Sequence, residues 1–401
     1  MKNVGIIAEY NPLHSGHIYH MTNSLPEEHN VIVAMSGNFT ERGDVAVANK
    51  YNRAKFAVEN GADLVVEIPT AAVLSCAEHF AKAGVKVLTM LGGVDFLSFG
   101  SECGDLETLK TVANSMTDID IDVKKYLSEG LPYPSAFSKA YIEKISTGNA
   151  HYAVSKENTS QYNNNLTDIT AETLKELLQK PNNILGIEYI RALKDSNIKP
   201  ITLKRIGQGY NSEEISSAKY TSAQAIRNSL YTKDVEAYLQ QDILKHIRSV
   251  DIDNDLIVKL LKYDLLVNNK NISEINNVSE GIDNRIRDTL SLCKSGYGEF
   301  LSSVKTKRYT MARIKRILLS ILLDIKKSVL HSIDSLDYIT VLAVKRDRLH
   351  LLKDAKVKLV TKYKDYAATS HVFKEIDLKA NSLYNVVSSD SIDSHSMIII
   401  D

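Results

Sequence analysis

The chain has 401 residues, 44% of them hydrophobic, with 49 basic and 49 acidic residues that give a formal net charge of zero. Such a length can hold two or three domains with sizeable cores, and the zero net charge means that any basic surface for nucleic acid must be local. The sequence opens on a strand without a secretory leader and contains no apolar run long enough to cross a bilayer, so we expect a cytoplasmic protein without membrane contacts.

The first half of the chain alternates predicted strands and helices. Apolar runs predict buried strands at residues 4–7, 31–35, 63–68, 94–99 and 201–206, and helical periodicity predicts helices at 51–60 and 77–91, each followed by glycine. Strands separated by helices of this length form crossover units, so the expected fold class is α/β, with a Rossmann-like parallel sheet covered on both faces. Arg53 and Lys55 are expected on the solvated face of the first of these helices.

The stretch around His14 lies where the first strand is followed by a helix. Asn11 and Pro12 interrupt the strand, and a helix should begin near Gly16. The free N–H groups and partial positive charge of a helix N-terminus attract phosphate, and glycine lets a ligand approach the backbone closely. His14 and His17 can therefore reach the same phosphate chain, the alternative being a pair of ordinary surface or core-edge histidines.

Other candidate residues follow the remaining strands. A loop at residues 36–43 carries Arg42 after the second strand, and Gly100 follows the fourth. Because ligands bind outside the carboxyl ends of parallel strands, we expect these positions to meet His14 at one crevice. The loop is either a phosphate loop with Arg42 as a donor or a polar connection. The sequence contains neither a GxGxxG fingerprint nor a GxxxxGK[ST] loop, so dinucleotide and P-loop classes lack support.

Further candidates for the same crevice come from the middle of the chain. Asn182 follows Pro181 at the start of a predicted helix, where asparagine either caps the helix or presents its amide to a ligand. Arg205 lies in the apolar fifth strand, so it either pairs with a carboxylate or faces a phosphate. Ser222 is a good N-cap for the helix that carries Arg227.

Beyond residue 230 the alternation ends, and helical periodicity predicts a separate, mostly helical region. Residues 305–327 contain eight lysines and arginines against one aspartate, so this segment is locally cationic. Its basic face can follow a phosphate backbone and Tyr309 can stack on an unpaired base, although a solvated amphipathic helix has the same pattern. The candidate RNA-binding residues are Lys305, Lys307, Arg308, Tyr309, Arg313 and Arg316. Residues 338–344 and 357–360 are predicted strands of a small appended α+β unit.

Several of these motifs together resemble one family. His14-Ser15-Gly16-His17 resembles the HxGH motif of nucleotidyltransferases, and the string from Glu9 to His17, with Met35-Ser36-Gly37-Asn38-Phe39 and the Lys-Thr-Lys-Arg-Tyr-Thr segment at 305–310, is similar to the bacterial tRNA(Met) cytidine acetate ligases. The resemblance implies that His14 and His17 are catalytic. It further implies ATP contacts at Ile7, Ala8, Glu9, Tyr10, Asn11, Pro12, Leu13, Ser15, Gly16, Ile18, Tyr19, His20, Gly100, Asn182, Arg205, Ile206, Ser222 and Arg227.

The resemblance also implies an activity and its partners. Acetate and ATP would give acetyl-adenylate and pyrophosphate, and the acetyl group would pass to the N4 amine of the wobble cytidine in elongator tRNA(Met). Magnesium is expected to bridge the phosphates, although no protein ligand for it can be named and no other metal site is predicted. Residues 1–230, with an insertion at about 115–180, would form the nucleotidyltransferase-like ATP-binding domain, and residues 231–401 the tRNA-binding region. Two other classes stay open: a small-molecule adenylyltransferase of the pantetheine-phosphate or nicotinamide-mononucleotide type, and a non-catalytic tRNA-binding protein.

Overall fold

A sheet of eight strands runs through the computed structural model, which describes residues 1–116, 171–206, 220–279, 281–294, 296–306 and 308–401, with scattered residues between 122 and 143. The strands are β1 (Lys2–Ala8), β2 (His29–Ser36), β3 (Leu64–Ile68), β4 (Phe96–Ser101), β5 (Lys199–Lys204), β6 (Tyr338–Lys345), β7 (Lys358–Val360) and β8 (Ile398–Ile400). Their order is β5-β4-β1-β2-β3-β6-β7, and β8 also pairs with β6. Neighbouring strands among β1 to β5 are parallel, which confirms the predicted α/β class.

Helices surround the sheet in the described part of the chain. They are α1 (Ser15–Asn23), α2 (Lys50–Glu59), α3 (Thr70–Val73), α4 (Ala77–Leu91), α5 (Leu106–Met116), α6 (Ala171–Leu178), α7 (Pro181–Ala192), α8 (Ala223–Asn228), α9 (Gln241–Ser249), α10 (Asp255–Lys262), α11 (Ile282–Leu292), α12 (Tyr297–Val304), α13 (Met311–Leu323) and α14 (Val372–Val387). Seven consecutive residues of β2 are buried, so both faces of the sheet are covered there. Among the residues that the structure describes, no helix is long and apolar enough to cross a membrane.

Local sequence signals locate the early helices well. Helix α4 spans residues 77–91, as predicted, and ends where Gly92 adopts a φ of +78°. A Cβ atom at Gly92 would lie 2.5 Å from the carbonyl oxygen of Asp354, so both the left-handed backbone and the close packing require glycine. Helix α2 begins after Asn49, whose side chain accepts hydrogen bonds from the N–H groups of Tyr51 and Asn52.

The order of the strands determines where a ligand can bind. β1 pairs with β2 on one side and with β4 on the other, so the chain connections diverge at β1. In open α/β sheets such a switch point leaves a crevice beyond the carboxyl ends of the strands. The turn after β1, the loop after β2 and Gly100 in β4 all lie at this edge of the sheet.

The predicted strands of the C-terminal segment are present, but they extend the main sheet instead of forming an appended unit. β6 pairs antiparallel with β3, with Leu64 opposite Val344. Helix α14 also joins this half, since Asp377 accepts a hydrogen bond from the backbone N–H of Thr70 at 2.8 Å. The physical reason is that β3 would otherwise present an unpaired edge. The domain division at residue 230 stays a prediction, and most of the predicted insertion lies outside the described residues.

Candidate active site

A cavity of about 160 Å³ opens at the carboxyl ends of β1 and β4, and we call it the nucleotide cavity. It is lined by the predicted catalytic residues His14 and His17 and by the predicted ATP contacts Ile7, Ala8, Glu9, Tyr10, Asn11, His20, Gly100, Asn182, Arg205 and Arg227. Arg42 of the loop after β2 lines it as well. The structure therefore brings the strand ends together at one crevice, as the sequence predicted.

Three more predicted contacts lie next to this cavity. Gly16, Tyr19 and Ile206 line a smaller cavity of about 70 Å³ that shares His14 and Arg205 with the nucleotide cavity. The N-terminus of α1 thus faces both spaces, which supports the phosphate-binding interpretation of this turn.

The remaining predicted contacts line neither of these cavities. Leu13 is buried in the core, Pro12 is buried, Ile18 packs against the core, and the N–H of Ser15 donates to the carbonyl of Tyr238. Ser222 is also buried and lines neither cavity. Its hydroxyl oxygen accepts a hydrogen bond from the N–H of Ala225 at 3.0 Å, so it occupies the N-cap position that was the alternative to a phosphate contact.

His14 and His17 form a stacked pair at the start of α1. Their ring centroids are 3.8 Å apart with an interplanar angle of 23°. Nδ1 of His14 accepts the backbone N–H of Gly16 at 3.1 Å, and Nδ1 of His17 accepts the backbone N–H of His14 at 3.4 Å. A neutral imidazole that accepts through Nδ1 carries its proton on Nε2. The cap geometry therefore gives each histidine an Nε2–H donor.

The electrostatic environment favours these neutral rings. Burial, together with the positive charges of Arg205 and Arg227, lowers the pKa of His14 to about 3. Burial and the neighbouring His14 lower the pKa of His17 well below its usual value, and burial lowers the pKa of His20 to about 4. In the absence of bound anions the site therefore presents neutral hydrogen-bond donors near neutral pH, with the positive charge on the arginines.

Arg227 is held by contacts to the turn after β1. Its guanidinium donates to the carbonyl of Asn11 and to Oε1 of Gln224, and it lies 3.9 Å from the carboxylate of Asp44. Arg205, placed immediately after β5 by a backbone hydrogen bond to Ser101, lines the same cavity. The two arginines bring positive charge to the histidine pair from two different elements, and such guanidinium groups can form charge-assisted hydrogen bonds to phosphate.

Glu9 links the end of β1 to the loop after β2. Its Oε1 accepts the backbone N–H of Glu41 at 2.6 Å. Burial raises the pKa of Glu9 to about 7. Arg53, expected on a solvated face, is instead buried and donates to the carbonyls of Glu9, Gly37 and Ala48, because buried backbone carbonyls require hydrogen-bond donors and its guanidinium supplies them. Lys55 is exposed as predicted.

Asn182 lies in the first turn of α7, and neither asparagine caps this helix. Lys180 occupies the N-cap position, and the carboxylate of Glu102 accepts the N–H of Asn183 at 2.9 Å and the amide of Asn182 at 2.7 Å. Asn183 returns the contact by accepting the N–H groups of Glu102 and Cys103. A carboxylate from the end of β4 thus replaces the expected cap and fixes Asn182 at the cavity wall.

Two acidic residues of the loop after β2 complete this wall, and sequence reasoning missed them. Asp44 accepts a hydrogen bond from Nζ of Lys315 at 2.6 Å, and Glu41 accepts from Nη1 of Arg316 through its carboxylate at 2.7 Å and its carbonyl at 2.8 Å. Arg316 therefore pairs with the loop after β2, is largely shielded from solvent, and lines a cavity next to the nucleotide cavity. Its partner is distant in the sequence, so no local pattern could have revealed the pair.

The rest of the basic segment is divided. Lys305 and Arg308 are exposed, whereas Lys307 lies outside the described residues. Tyr309 is buried, its hydroxyl donates to the carbonyl of Ser279, and the guanidinium of Arg313 lies 5.0 Å from its ring centroid. Tyr309 therefore acts in packing, which contradicts the expectation that it stacks on a base, because an aromatic ring with a satisfied hydroxyl gains more from burial.

A parallel sheet with a histidine-capped helix after its first strand, opening on a cavity that two arginines line, defines a nucleotidyltransferase. A family model described as HIGH Nucleotidyl Transferase matches residues 1–397. The chain is 37% identical over 404 residues to the tRNA(Met) cytidine acetate ligase of Clostridium perfringens (strain SM101), with 96% of this chain and 95% of the relative covered. It is 36% identical to the enzyme of that name from Alkaliphilus metalliredigens, covering 96% and 94%. The chain belongs to the tRNA(Met) cytidine acetate ligase family, as its motifs predicted.

Solved structures agree with this assignment. The chain is similar to a crystal structure of Thermotoga maritima TmcAL bound with alpha-thio ATP, with a TM-score of 0.79 and 27% identity. An apo form of the same protein gives a TM-score of 0.81 and 26% identity, and each comparison covers both chains completely. Membership of this family makes the chain a ligase.

Proposed function

We propose that this chain activates acetate with ATP as acetyl-adenylate and transfers the acetyl group to the N4 amine of the wobble cytidine in elongator tRNA(Met). The observation that carries the proposal is the neutral histidine pair at the N-terminus of α1, which shares one cavity with Arg205 and Arg227. The names of the relatives support the RNA substrate.

The proposed first step uses the donors of this cavity. An acetate oxygen attacks the α-phosphorus of ATP, the bond from that phosphorus to the bridging oxygen breaks, and pyrophosphate leaves. Negative charge builds up on the departing pyrophosphate. The Nε2–H groups of His14 and His17 and the guanidinium of Arg227 can stabilise this charge by donating hydrogen bonds. Each preorganised donor of this kind contributes about 10²–10³ in rate.

In the proposed second step the cytidine amine is acetylated. The amine nitrogen forms a bond to the acyl carbon, the bond from that carbon to the AMP oxygen breaks, and one amine proton passes to water. AMP leaves readily, unlike the oxide that free acetate would have to expel. The exposed Lys305 and Arg308 support binding of the RNA backbone.

Magnesium would arrive with the nucleotide. Within the described residues no group of three or more histidine, cysteine, aspartate or glutamate side chains is arranged to hold a metal ion. The expected ion would therefore be coordinated by phosphate oxygens and water, which suits the preference of Mg²⁺ for substrate phosphates over an all-protein cage. Its presence stays part of the proposal.

The test separates the two steps. Acetate-dependent exchange of labelled pyrophosphate into ATP reports the first step, and labelled acetate recovered as N4-acetylcytidine in tRNA reports the whole reaction. We expect His17→Ala to lower exchange at least about 100-fold, while His331→Ala, which removes an exposed histidine, leaves it within about twofold. Exchange near wild type in His17→Ala would refute the assignment of the cavity, and exchange without label in RNA would favour a small-molecule adenylyltransferase.

A further inference from the structure

A second cavity, of about 610 Å³, adjoins the nucleotide cavity and is not used by the steps described above. We call it the side cavity. It lies between the first turn of α13 and the first turn of α7. The residues that line both cavities are Glu41, Arg42, Asp44, Leu185 and Gln224. The loop at residues 41–44 is therefore a wall that the two spaces share.

Two helices contribute apolar residues to the lining of the side cavity. Ile184 and Leu185 of α7 line one part of it, and Met311 and Ala312 of α13 line another. Ligand sites typically measure about 300–1,000 Å³, so this volume suits a group of nucleotide size. Apolar side chains of this kind can pack against the faces of a planar ring.

The shared wall carries two carboxylates beside Arg42, and ion pairs hold both of them. Glu41 and Asp44 are fixed there by Arg316 at 2.7 Å and by Lys315 at 2.6 Å. Each carboxylate has further lone pairs that can accept a hydrogen bond from an amine. Among nucleobases, cytosine presents an N4 amine donor that aspartate and glutamate accept, whereas uracil presents an acceptor at the same position.

We propose that the side cavity receives one cytosine extruded from the RNA, with its ring between α7 and α13 and its exocyclic amine turned towards Glu41 and Asp44. This inference rests on the proposed function and assigns the place of its second substrate. An amine held at the shared wall lies next to the cavity in which the activated acetate would form. A base can reach it only by leaving its stack, which costs a few kcal/mol and is cheapest in a single-stranded loop.

Filling the side cavity tests the proposal. Ala312 lines the side cavity but not the nucleotide cavity, so Ala312→Leu and Ala312→Trp reduce its space in two steps. We expect pyrophosphate exchange and the KM for ATP to stay within about twofold, while acetyl transfer to tRNA falls about 10-fold for leucine and at least about 100-fold for tryptophan. Ser302→Trp is the matched control, since Ser302 is exposed on α12 and lines neither cavity, and it should leave both readouts unchanged.

A crosslink identifies the occupant directly. tRNA carrying 5-iodocytidine in place of the target cytidine keeps the N4 amine. On irradiation it should crosslink to the peptide that contains Met311 and Ala312 or to the one that contains Ile184, and Ala312→Trp should abolish the crosslink.

The outcomes separate the two proposals. Wild-type chain that transfers no acetyl group overturns the proposed function and this inference with it. Wild-type transfer that Ala312→Trp leaves unchanged overturns the inference alone. A raised KM for ATP in Ala312→Leu would also overturn it, because the side cavity would then belong to the nucleotide. If the tryptophan variant misfolds and loses pyrophosphate exchange, acetyl transfer by the leucine variant and the crosslink to the wild-type chain decide whether the base occupies the side cavity.

Discussion

Replacing Arg316 by alanine tests the contact that most changes the interpretation of the basic segment. The sequence placed Arg316 on an RNA-binding face, whereas the structure places its guanidinium on Glu41, with only 12% of the side chain exposed. Nη1 donates to both the carboxylate and the carbonyl of Glu41. We therefore expect Arg316→Ala to impair adenylation and not RNA binding alone.

The magnitude follows from the geometry. A hydrogen bond to a charged group contributes about 1.5–3 kcal/mol, and both partners are largely shielded from water. The neighbouring pair of Lys315 with Asp44 remains, so the loop stays attached and only part of this energy is lost from its placement. A loss of about 2 kcal/mol corresponds to a factor of about 30 in kcat/KM.

The assay is acetate-dependent pyrophosphate exchange at varied ATP concentration. Arg346→Ala is the matched control, since this arginine forms an exposed ion pair with Asp401 far from the cavity, and it should change exchange by less than about twofold. A double-mutant cycle with Glu41→Ala should return a coupling energy of about 1–2 kcal/mol. Unchanged exchange with lost tRNA acetylation in Arg316→Ala would refute this reasoning and restore the role read from the sequence.

The other predictions concern buried charge. The pKa of His14 is lowered to about 3 in the folded chain, so between that value and about pH 6.5 only the unfolded chain binds its proton and the folded state loses stability on acidification. Between pH 8 and 5.5, the free energy of unfolding in urea should fall by about 1.4 kcal/mol less for His14→Asn than for the wild type. An equal fall in the two proteins would contradict the assignment. Because the pKa of Glu9 is raised to about 7, its favourable contribution to stability is present at acidic pH and is lost as the pH rises through 7. The free energy of unfolding of Glu9→Gln should therefore rise by about 2.5 kcal/mol relative to that of the wild type between pH 5 and 8. A difference that does not grow with pH would contradict this prediction. Lys50→Met removes the cation that pairs with the buried Glu67 and should lower the free energy of unfolding in urea by about 3–5 kcal/mol. Lys55→Met, which removes the cation of the more exposed pair with Glu59, should lower it by less than about 0.5 kcal/mol. Similar losses in the two variants would show that burial of the pair does not matter.

Features that depend on neighbours in the sequence were predictable. The strand, turn and helix around His14 follow from a short apolar run, a proline and a glycine, and α4 was bounded by periodicity and a double glycine. The convergence of strand ends at one crevice followed from the rule for parallel sheets. These signals are local, so one sequence is enough to read them.

Features that depend on distant partners were not predictable. Arg53 resembles a surface residue of an exposed helix, but the loop after β2 offers it buried carbonyls. Tyr309 resembles an RNA-stacking residue, but Ser279 and Arg313 complete its environment. β6 resembles a strand of a separate unit until the open edge of β3 is known. In each case the residue type fits two environments, and only the fold selects one.

The basic segment contributes to the nucleotide cavity through charge neutralisation. Glu41 and Asp44 would otherwise place two negative charges beside a triphosphate, and like charges at such distances oppose binding. Lys315 and Arg316 offset these charges. The positive field at the proposed phosphate position then comes from Arg205, which follows β5, and from Arg227, which lies in α8. Helix α13 therefore acts on this wall from the side cavity, although it is distant in the sequence. The composition of this segment therefore suggests an RNA-binding surface, although two of its cations pair with carboxylates of the loop after β2.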